Sequence, residues 1–165
     1  IMPFKRSLWL IDKVTYEDGR GGVPMEVKKQ NYADARYDQK GREFIGMRMN
    51  ETTNSKGVKK RTIYLQDYET RGLVHATEVF GIDGLLYSST KNDYVLEALV
   101  DGPAFRDESY VISDVLTTSK VYQPGSLSNY VLSGSRTSNI FDATTHSIAE
   151  STLRTFGADG IENGG

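Results

Sequence analysis

Histidine and cysteine often carry catalysis or a metal ion, and this chain has little of either. It contains two histidines, His75 and His146, and no cysteine. Without cysteine there is no thiolate nucleophile and no cysteine-ligated zinc or iron–sulfur centre. Because no second histidine stands at metal-ligand spacing, we expect no zinc or iron site. His146 follows Asp142 by four residues, which favours an ion pair or hydrogen bond over a catalytic dyad.

The serines and glycines likewise form no known catalytic or phosphate-binding motif. No serine lies in the Gly-x-Ser-x-Gly elbow of the α/β-hydrolases. The glycine clusters at 19–22 and 81–84 lack the spacing of phosphate-binding loops, and we interpret both as turns. The sequence therefore predicts a protein that is not an enzyme and that binds no cofactor or metal.

One cluster of side chains is suited to binding a partner. It comprises four cations and two tyrosines: Lys56, Lys59, Lys60, Arg61, Tyr64 and Tyr68. The cations favour an acidic protein surface, since such patches raise association rates and set orientation. Two other interpretations are contact with nucleic-acid phosphates, with the tyrosines stacking on bases, and a merely solvated loop. An isoelectric point near 5.7 argues against nucleic acid as the partner.

A long hairpin is predicted to carry this basic cluster. Phe44–Met49 and Thr62–Gln66 are rich in β-branched, aromatic and methionine side chains, which favours two antiparallel strands. The stretch between them, 50–60, has the composition of a turn. Because long loops without a purpose are uncommon, we expect this one to be a contact arm.

Two helices are predicted in the second half of the chain. The first runs from about 91 to 101, after a Thr-x-x-Asp start signal at Thr90 and before Gly102. The second runs over 139–156 and ends before Gly157. At helical spacing its apolar side falls on one arc, which consists of Phe141, Thr145, Ile148, Ala149, Thr152, Leu153 and Phe156. We expect this arc, and Leu153 with it, to be buried.

Further short strands complete an α+β fold, a small antiparallel sheet with a long hairpin plus two or more helices. The strands are predicted over Leu8–Tyr16, Val23–Val27, Tyr110–Leu116 and Tyr130–Leu132, with a turn at 123–126. Residues 28–43 are polar and predict an exposed loop or a short helix. We found no internal repeat.

The 165 residues predict a single compact domain, 1–165, with extended loops and a C-terminal tail at 158–165. Charge is unevenly divided. The basic N-terminal half, 1–75, has 15 basic and 10 acidic residues, whereas the acidic C-terminal half, 76–165, has 5 and 12. No apolar run is long enough to span a bilayer, so we expect no membrane span.

These features favour a non-enzymatic structural or linker subunit that bridges protein partners with acidic surfaces in a larger assembly. An organellar light-harvesting complex and a virion are the expected settings. Ile1 indicates a processed or truncated start, and removal of a targeting segment would fit a plastid. The alternative function is a small-molecule or carbohydrate-binding β-rich module, and an enzyme without a recognisable catalytic motif comes third.

Overall fold

The computed structural model describes most of the chain, and every regular element in the described part is a β-strand. The described residues are 2–3, 9–17, 19–21, 26–38, 42–67, 69–98, 110–123, 131–142, 144–145, 147–158 and 162–163. The predicted α+β class is therefore wrong, because these residues form antiparallel β-sheet and contain no helix.

The chain divides into two compact units, Ile1–Tyr87 and Ser88–Gly165. The strands of the first unit are β1 (Met2–Pro3), β2 (Lys13–Tyr16), β3 (Glu26–Asp38), β4 (Glu43–Thr53), β5 (Lys59–Tyr64) and β6 (Val74–Phe80). They pair in the order β1, β3, β4, β5, β6, while β2 also pairs with β3. All of these pairs are antiparallel.

The second unit is an antiparallel meander. Its strands are β7 (Leu86–Ala98, which begins at the end of the first unit), β8 (Tyr110–Tyr122), β9 (Val131–Phe141), β10 (Ile148–Gly157) and β11 (Glu162–Asn163). Strands that are consecutive in the chain pair with each other, from β7 with β8 to β10 with β11. The longest strands run to 13 residues, more than twice the usual length, so the second unit is a set of long hairpins.

Neither unit shows a hydrophobic core in its described part. No described hydrophobic side chain is buried, and the one buried polar side chain is that of Gln66. Within each unit a described strand contacts only the strands with which it pairs. The described strands are therefore held by their hydrogen-bond ladders and cross-strand side-chain pairs rather than by a second packed layer.

Both predicted helices are strands. The first falls on β7, which is extended through Ala98 and pairs with β8, and its last residues, 99–101, lie outside the described part. The second falls on the end of β9 and on β10. The arc is not buried, since Leu153 is 62% exposed. The polar stretch 28–43 is also mostly strand, because β3 extends to Asp38 and pairs with β4.

The predicted antiparallel pairing is confirmed in direction, but the predicted long loop is wrong. Within Phe44–Met49 and Thr62–Gln66 the β4–β5 ladder has the pair of Met49 and Ile63, and from there it continues through the predicted loop to the pair of Thr53 and Lys59. The connection is thus the short turn 54–58. The carboxamide oxygen of Asn54 accepts hydrogen bonds from the backbone N–H groups of Lys56 and Val58, a local bond that replaces ladder pairing at the turn.

The same pattern of backbone hydrogen bonds recurs in the turn after β6. In the first turn Asn54 N–H donates to Val58 O and Gly57 N–H donates to Asn54 O. In the turn after β6, Gly81 N–H donates to Leu85 O and Gly84 N–H donates to Gly81 O. Gly57 and Gly84 have φ of 82° and 77°, a region in which side chains with a Cβ are strained. The interpretation of 81–84 as a turn is confirmed.

The remaining strand predictions match in part. Tyr110–Leu116 lies within β8, which confirms it, and β9 begins at Val131 within the predicted Tyr130–Leu132. In the described part of Leu8–Tyr16, residues 9–16, β2 is the strand and Trp9 to Asp12 are irregular. β3 begins at Glu26, and residues 22–25 lie outside the described part, as do residues 124–126 of the predicted turn and most of the C-terminal tail.

Candidate interaction surface

The predicted basic cluster does not form one patch. Lys56 is exposed in the turn 54–58. Lys59 and Lys60 are also exposed, but they are consecutive residues of β5, and successive side chains of a strand point to opposite faces of the sheet. The two lysines therefore face different surroundings, and a partner on one face meets only one of them.

Arg61 is held within its own sheet. Its Nη2 lies 3.0 Å from Glu51 Oε2 on β4, and its Nη1 lies 3.3 Å from Glu78 Oε2 on β6. These three residues are directly opposite one another in register. The guanidinium also lies over the ring of Phe80, 4.8 Å from its centroid. Arg61 thus links three strands, a structural role that the linear charge pattern did not reveal.

Of the other predicted residues, the structure describes Tyr64 and His75, which lie on the paired strands β5 and β6. Tyr64 is half-buried at the end of β5, and Tyr68 lies outside the described residues. His75 is half-buried in β6, and His146 also lies outside the described part. Asp142 accepts hydrogen bonds from the backbone of Thr144 and Thr145. Among the described residues no group of three acidic or histidine side chains is arranged to hold a metal ion.

Strands β7–β10 separate charge by face. On one face, which we call the uncharged face, four residues of each strand form a regular array. Its members are Ser88, Thr90, Asn92 and Tyr94 of β7, Val115, Thr117, Ser119 and Val121 of β8, Ser133, Ser135, Thr137 and Asn139 of β9, and Ser151, Leu153, Thr155 and Gly157 of β10. Nine of these sixteen residues are serine or threonine, and none is ionisable at neutral pH.

The opposite face of the same strands, the charged face, carries seven ionisable side chains in this regular part of the ladder, which on β7 ends at the register shift between Val95 and Leu96, before Glu97. They are Lys91 and Asp93 of β7, Asp114 and Lys120 of β8, Arg136 of β9, and Glu150 and Arg154 of β10. Some of their contacts are local, such as the ion pair of Lys91 with Asp93 at 2.8 Å. A face with this composition is suited to water.

Hydroxyl and amide groups on the uncharged face bond to one another across strands. The Thr117 hydroxyl donates to Asn92 Oδ1 over 2.9 Å, and the Ser151 hydroxyl donates to Asn139 Oδ1 over 2.7 Å. Partial burial raises the pKa of the Tyr94 phenol, although a hydrogen bond with Asn92 opposes the shift. Because these four side chains already bond to one another, they keep hydrogen-bond partners when another protein covers the face.

A shallow groove of about 200 Å³ lies on the charged face between β9 and β10. Arg136, Ser138, Ile140, Glu150, Thr152 and Arg154 line it. Arg136 and Arg154 are directly opposite each other in register. Its volume is below the roughly 300 to 1,000 Å³ of ordinary ligand pockets.

The largest exposed apolar side chains of the first unit include a short run before β2. Trp9 is 99% exposed, Leu10 45% and Ile11 61%. Tryptophan is enriched at the centres of protein interfaces because it buries a large area with little loss of conformational freedom.

The separation of charge by face has a signal in the sequence. In β7 the charged residues Lys91 and Asp93 are two apart, and in β10 Glu150 and Arg154 are four apart. Even spacing of charges between runs of serine and threonine is the period of a strand with one uncharged face. Alternation of apolar residues, the pattern by which strands are usually predicted, is missing from such a strand, and these positions were therefore not predicted as a surface.

Comparison with known proteins gives a fold but no family. No family model matches the chain, and no curated protein matches it. A solved structure described as "Crystal Structure of TcdB2-TccC3" matches with a TM-score of 0.50 and 12% identity over 82% of this chain. A second, "Crystal Structure of TcdB2-TccC3-Cdc42", matches with a TM-score of 0.45 and 12% identity over the same share. The match spans only 13% and 12% of those two chains.

The match with a TM-score of 0.50 supports the all-β architecture. At 12% identity it bears on the fold alone and not on function. No described helix is long and apolar enough to cross a membrane. The chain is thus a β-sheet protein with the fold of a small part of a much longer chain, and its charge-segregated strands β7–β10 are its candidate interaction surface.

Proposed function

We propose that the chain is a non-enzymatic structural module that bridges protein partners in a larger assembly and contacts one of them through the uncharged face of β7–β10. The observation that carries this proposal is that the seven charged side chains in the regular part of the β7–β10 ladder all lie on the opposite face. The centres of protein interfaces are depleted in charged residues, whereas surfaces that stay in water are not.

The lack of a described core supports the same role. A sheet needs a second layer against one face for independent stability, and no described hydrophobic side chain is buried. A partner that covers the uncharged face supplies such a layer. The structural neighbour with a TM-score of 0.50 comes from a structure whose description names two components, TcdB2 and TccC3, which is consistent with a sheet of this fold serving within a complex.

The basic residues Lys56, Lys59 and Lys60 remain candidates for contact with an acidic protein surface, with Lys56 in the turn and Lys59 and Lys60 on opposite faces of the sheet. Arg61 is not among these candidates, because its ion pairs with Glu51 and Glu78 hold strands of its own sheet together. The setting of the assembly, an organellar light-harvesting complex or a virion, stays a prediction from the sequence.

Two neighbouring threonines of β8 give a matched test of the uncharged face. Thr117 lies on the uncharged face and Thr118 on the charged face, between Lys91 and Arg136. Tagged Thr117→Glu and Thr118→Glu chains are expressed in the native source, and the mass of each resulting assembly is measured. We expect Thr117→Glu to be lost from the assembly and Thr118→Glu to be retained.

The melting temperature of each purified variant separates loss of contact from loss of fold. If Thr117→Glu does not fold, Ser135→Glu places the same charge elsewhere on the uncharged face. Retention of a folded uncharged-face variant at the wild-type level would overturn the proposed contact. A native chain that is found only as a monomer would overturn the assembly role itself.

A second candidate function, a small-molecule or carbohydrate-binding module, is favoured by the groove on the charged face. Two arginines in register favour a small anionic ligand, such as a sulfated or phosphorylated sugar. Calorimetric titration of the chain with a sulfated monosaccharide tests it. Binding by a monomeric native chain that Arg136→Gln abolishes would favour this function over the structural one.

A further inference from the structure

Strand β10 presents an exposed edge. It pairs with β9 along its length, whereas β11 pairs only with Thr155 and Phe156. Over the rest of β10 the described part of the chain shows no second neighbouring strand. Residues 148–155 are all exposed, including Ile148 at 57% and Leu153 at 62%. An exposed strand edge is a template on which another strand can add.

The charges of this edge are complementary to themselves. Glu150, Thr152 and Arg154 lie on the charged face, and Thr152 stands midway between the acid and the base. In an antiparallel pair of two β10 strands with Thr152 opposite Thr152, Glu150 of each copy lies opposite Arg154 of the other. Both cross-strand pairs are then of opposite charge, the favourable arrangement on a sheet.

We propose that two copies of this chain associate through their β10 edges, antiparallel and in this register. The two-fold axis passes midway between the two Thr152 residues, perpendicular to the sheet, so the patch is the same on both copies, as a closed dimer requires. Residues 150–154 of each copy form the new ladder. The pairing of β11 with Thr155 and Phe156 limits it to this length.

Arg154 keeps its existing contacts in the dimer. A guanidinium has five N–H donors, so it can also donate to the Glu150 carboxylate of the other copy. The register also continues each face across the junction, because residues directly opposite in an antiparallel pair lie on the same face. The uncharged faces of the two copies then form one surface. The dimer is nevertheless independent of the proposed function, since it uses the edge of the sheet and not that face.

Charge reversal distinguishes a second copy from any other occupant. In Glu150→Arg the pair becomes arginine against arginine, and in Arg154→Glu it becomes glutamate against glutamate. We expect either change to raise the dimer dissociation constant of the full chain about tenfold or more, measured by sedimentation equilibrium. An equimolar mixture of these two variants restores opposite charges in both pairs. We therefore expect the mixture to form a heterodimer as tight as the wild-type dimer.

The double variant Glu150→Arg/Arg154→Glu also restores both pairs and should dimerise like the wild type. Lys120→Glu changes a charge on the same face but away from the edge, and it should leave dimerisation unchanged. A wild-type chain that is monomeric at every concentration up to the millimolar range would overturn the proposal. So would single variants that dimerise normally, or a mixture that stays monomeric.

Discussion

The side-chain Nε2 of Gln66 lies 3.1 Å from the carbonyl oxygen of Gly46 and donates a hydrogen bond to it. The same nitrogen donates to the carbonyl of Asp34 over 2.9 Å. Gly46 and Asp34 both have positive φ, 118° and 53°, so the β3–β4 ladder is irregular where they lie. Beyond the last β4–β5 pair, the buried amide of Gln66 thus supplies a donor that a continuing strand would otherwise provide.

Replacement of this amide should destabilise the first unit. We expect Gln66→Leu to lower the free energy of unfolding by about 1 to 3 kcal/mol, because two carbonyls lose a buried donor. Urea denaturation followed by circular dichroism measures it. Gln123→Leu, at an exposed position, is the matched control and should change the midpoint little. Equal shifts for the two variants would show that the bonds to Asp34 and Gly46 do not stabilise the fold.

A methyl group at Gly134 should disturb the second unit. A Cβ there would overlap the ring of Phe156, which lies directly opposite on β10, and the carbonyl oxygen of Ser119 on β8. The carbonyl oxygen is a backbone atom and cannot move aside as a flexible side chain can. We therefore expect Gly134→Ala to lower the free energy of unfolding by about 1 to 3 kcal/mol. Ser133→Ala, at the adjacent exposed position, serves as control. Wild-type thermal stability for Gly134→Ala would mean that the Phe156 ring does not lie over Gly134.

Leu153 distinguishes a strand from the helix that the sequence suggested. If Leu153 were buried on a helical arc, Leu153→Ala would lower the free energy of unfolding by about 2 to 4 kcal/mol. Because Leu153 is a strand residue that is 62% exposed, we expect Leu153→Ala to lower it by less than about 1 kcal/mol. Phe156→Ala, at a half-buried position, should cost more than Leu153→Ala in the same unfolding experiment. The reverse order would favour a helix.

The turn after β6 should respond to alkaline pH. The Tyr87 hydroxyl donates to Asp83 Oδ2 over 3.1 Å, and this hydrogen bond raises the pKa of Tyr87 above its ordinary value of 10.0. The folded state therefore favours the protonated phenol. The stabilisation that the hydrogen bond gives the folded state is complete below pH 10 and is lost as the pH rises through the raised pKa. The difference in unfolding free energy between wild type and Tyr87→Phe should shrink over that range.

Asp83→Asn provides the control for the alkaline effect. The carboxamide oxygen can still accept the backbone N–H of Leu85, so the turn is preserved, but the negative charge beside the phenol is removed. Ultraviolet titration of this variant should show one tyrosine ionising at lower pH than in the wild type. An unchanged titration curve would contradict the assignment of the shift to Asp83.

Elements with strong local signals were predictable from the sequence. The pairing of β4 with β5 follows from two runs of strand-forming residues, and the turn at 81–84 follows from its glycines. The helices failed for a physical reason. Strand periodicity appears in a sequence when one face is buried and apolar, whereas Thr117 and Thr118 of β8 are both polar and neither is buried. Without that signal, chance helical spacing in β7 and β10 was the strongest pattern left.

The surface was less predictable than the strands. The run from Lys56 to Arg61 is basic in sequence, but its function depends on which residues stand opposite it. Arg61 meets Glu51 and Glu78 only because three strands align in one register. Such alignment is a property of pairing between distant segments, and composition within a window does not contain it.

The absence of a described core bears on how a protein of this kind can change in length. Where each described strand contacts only the strands it pairs with, nothing behind the sheet must be refitted when a hairpin is gained or lost. Duplication of one hairpin would widen the sheet by about 10 Å, two strand spacings, and leave the other ladders intact. Gain or loss of a single strand would instead reverse the direction of everything after it. Descendants of such a sequence should therefore differ in length by whole hairpins.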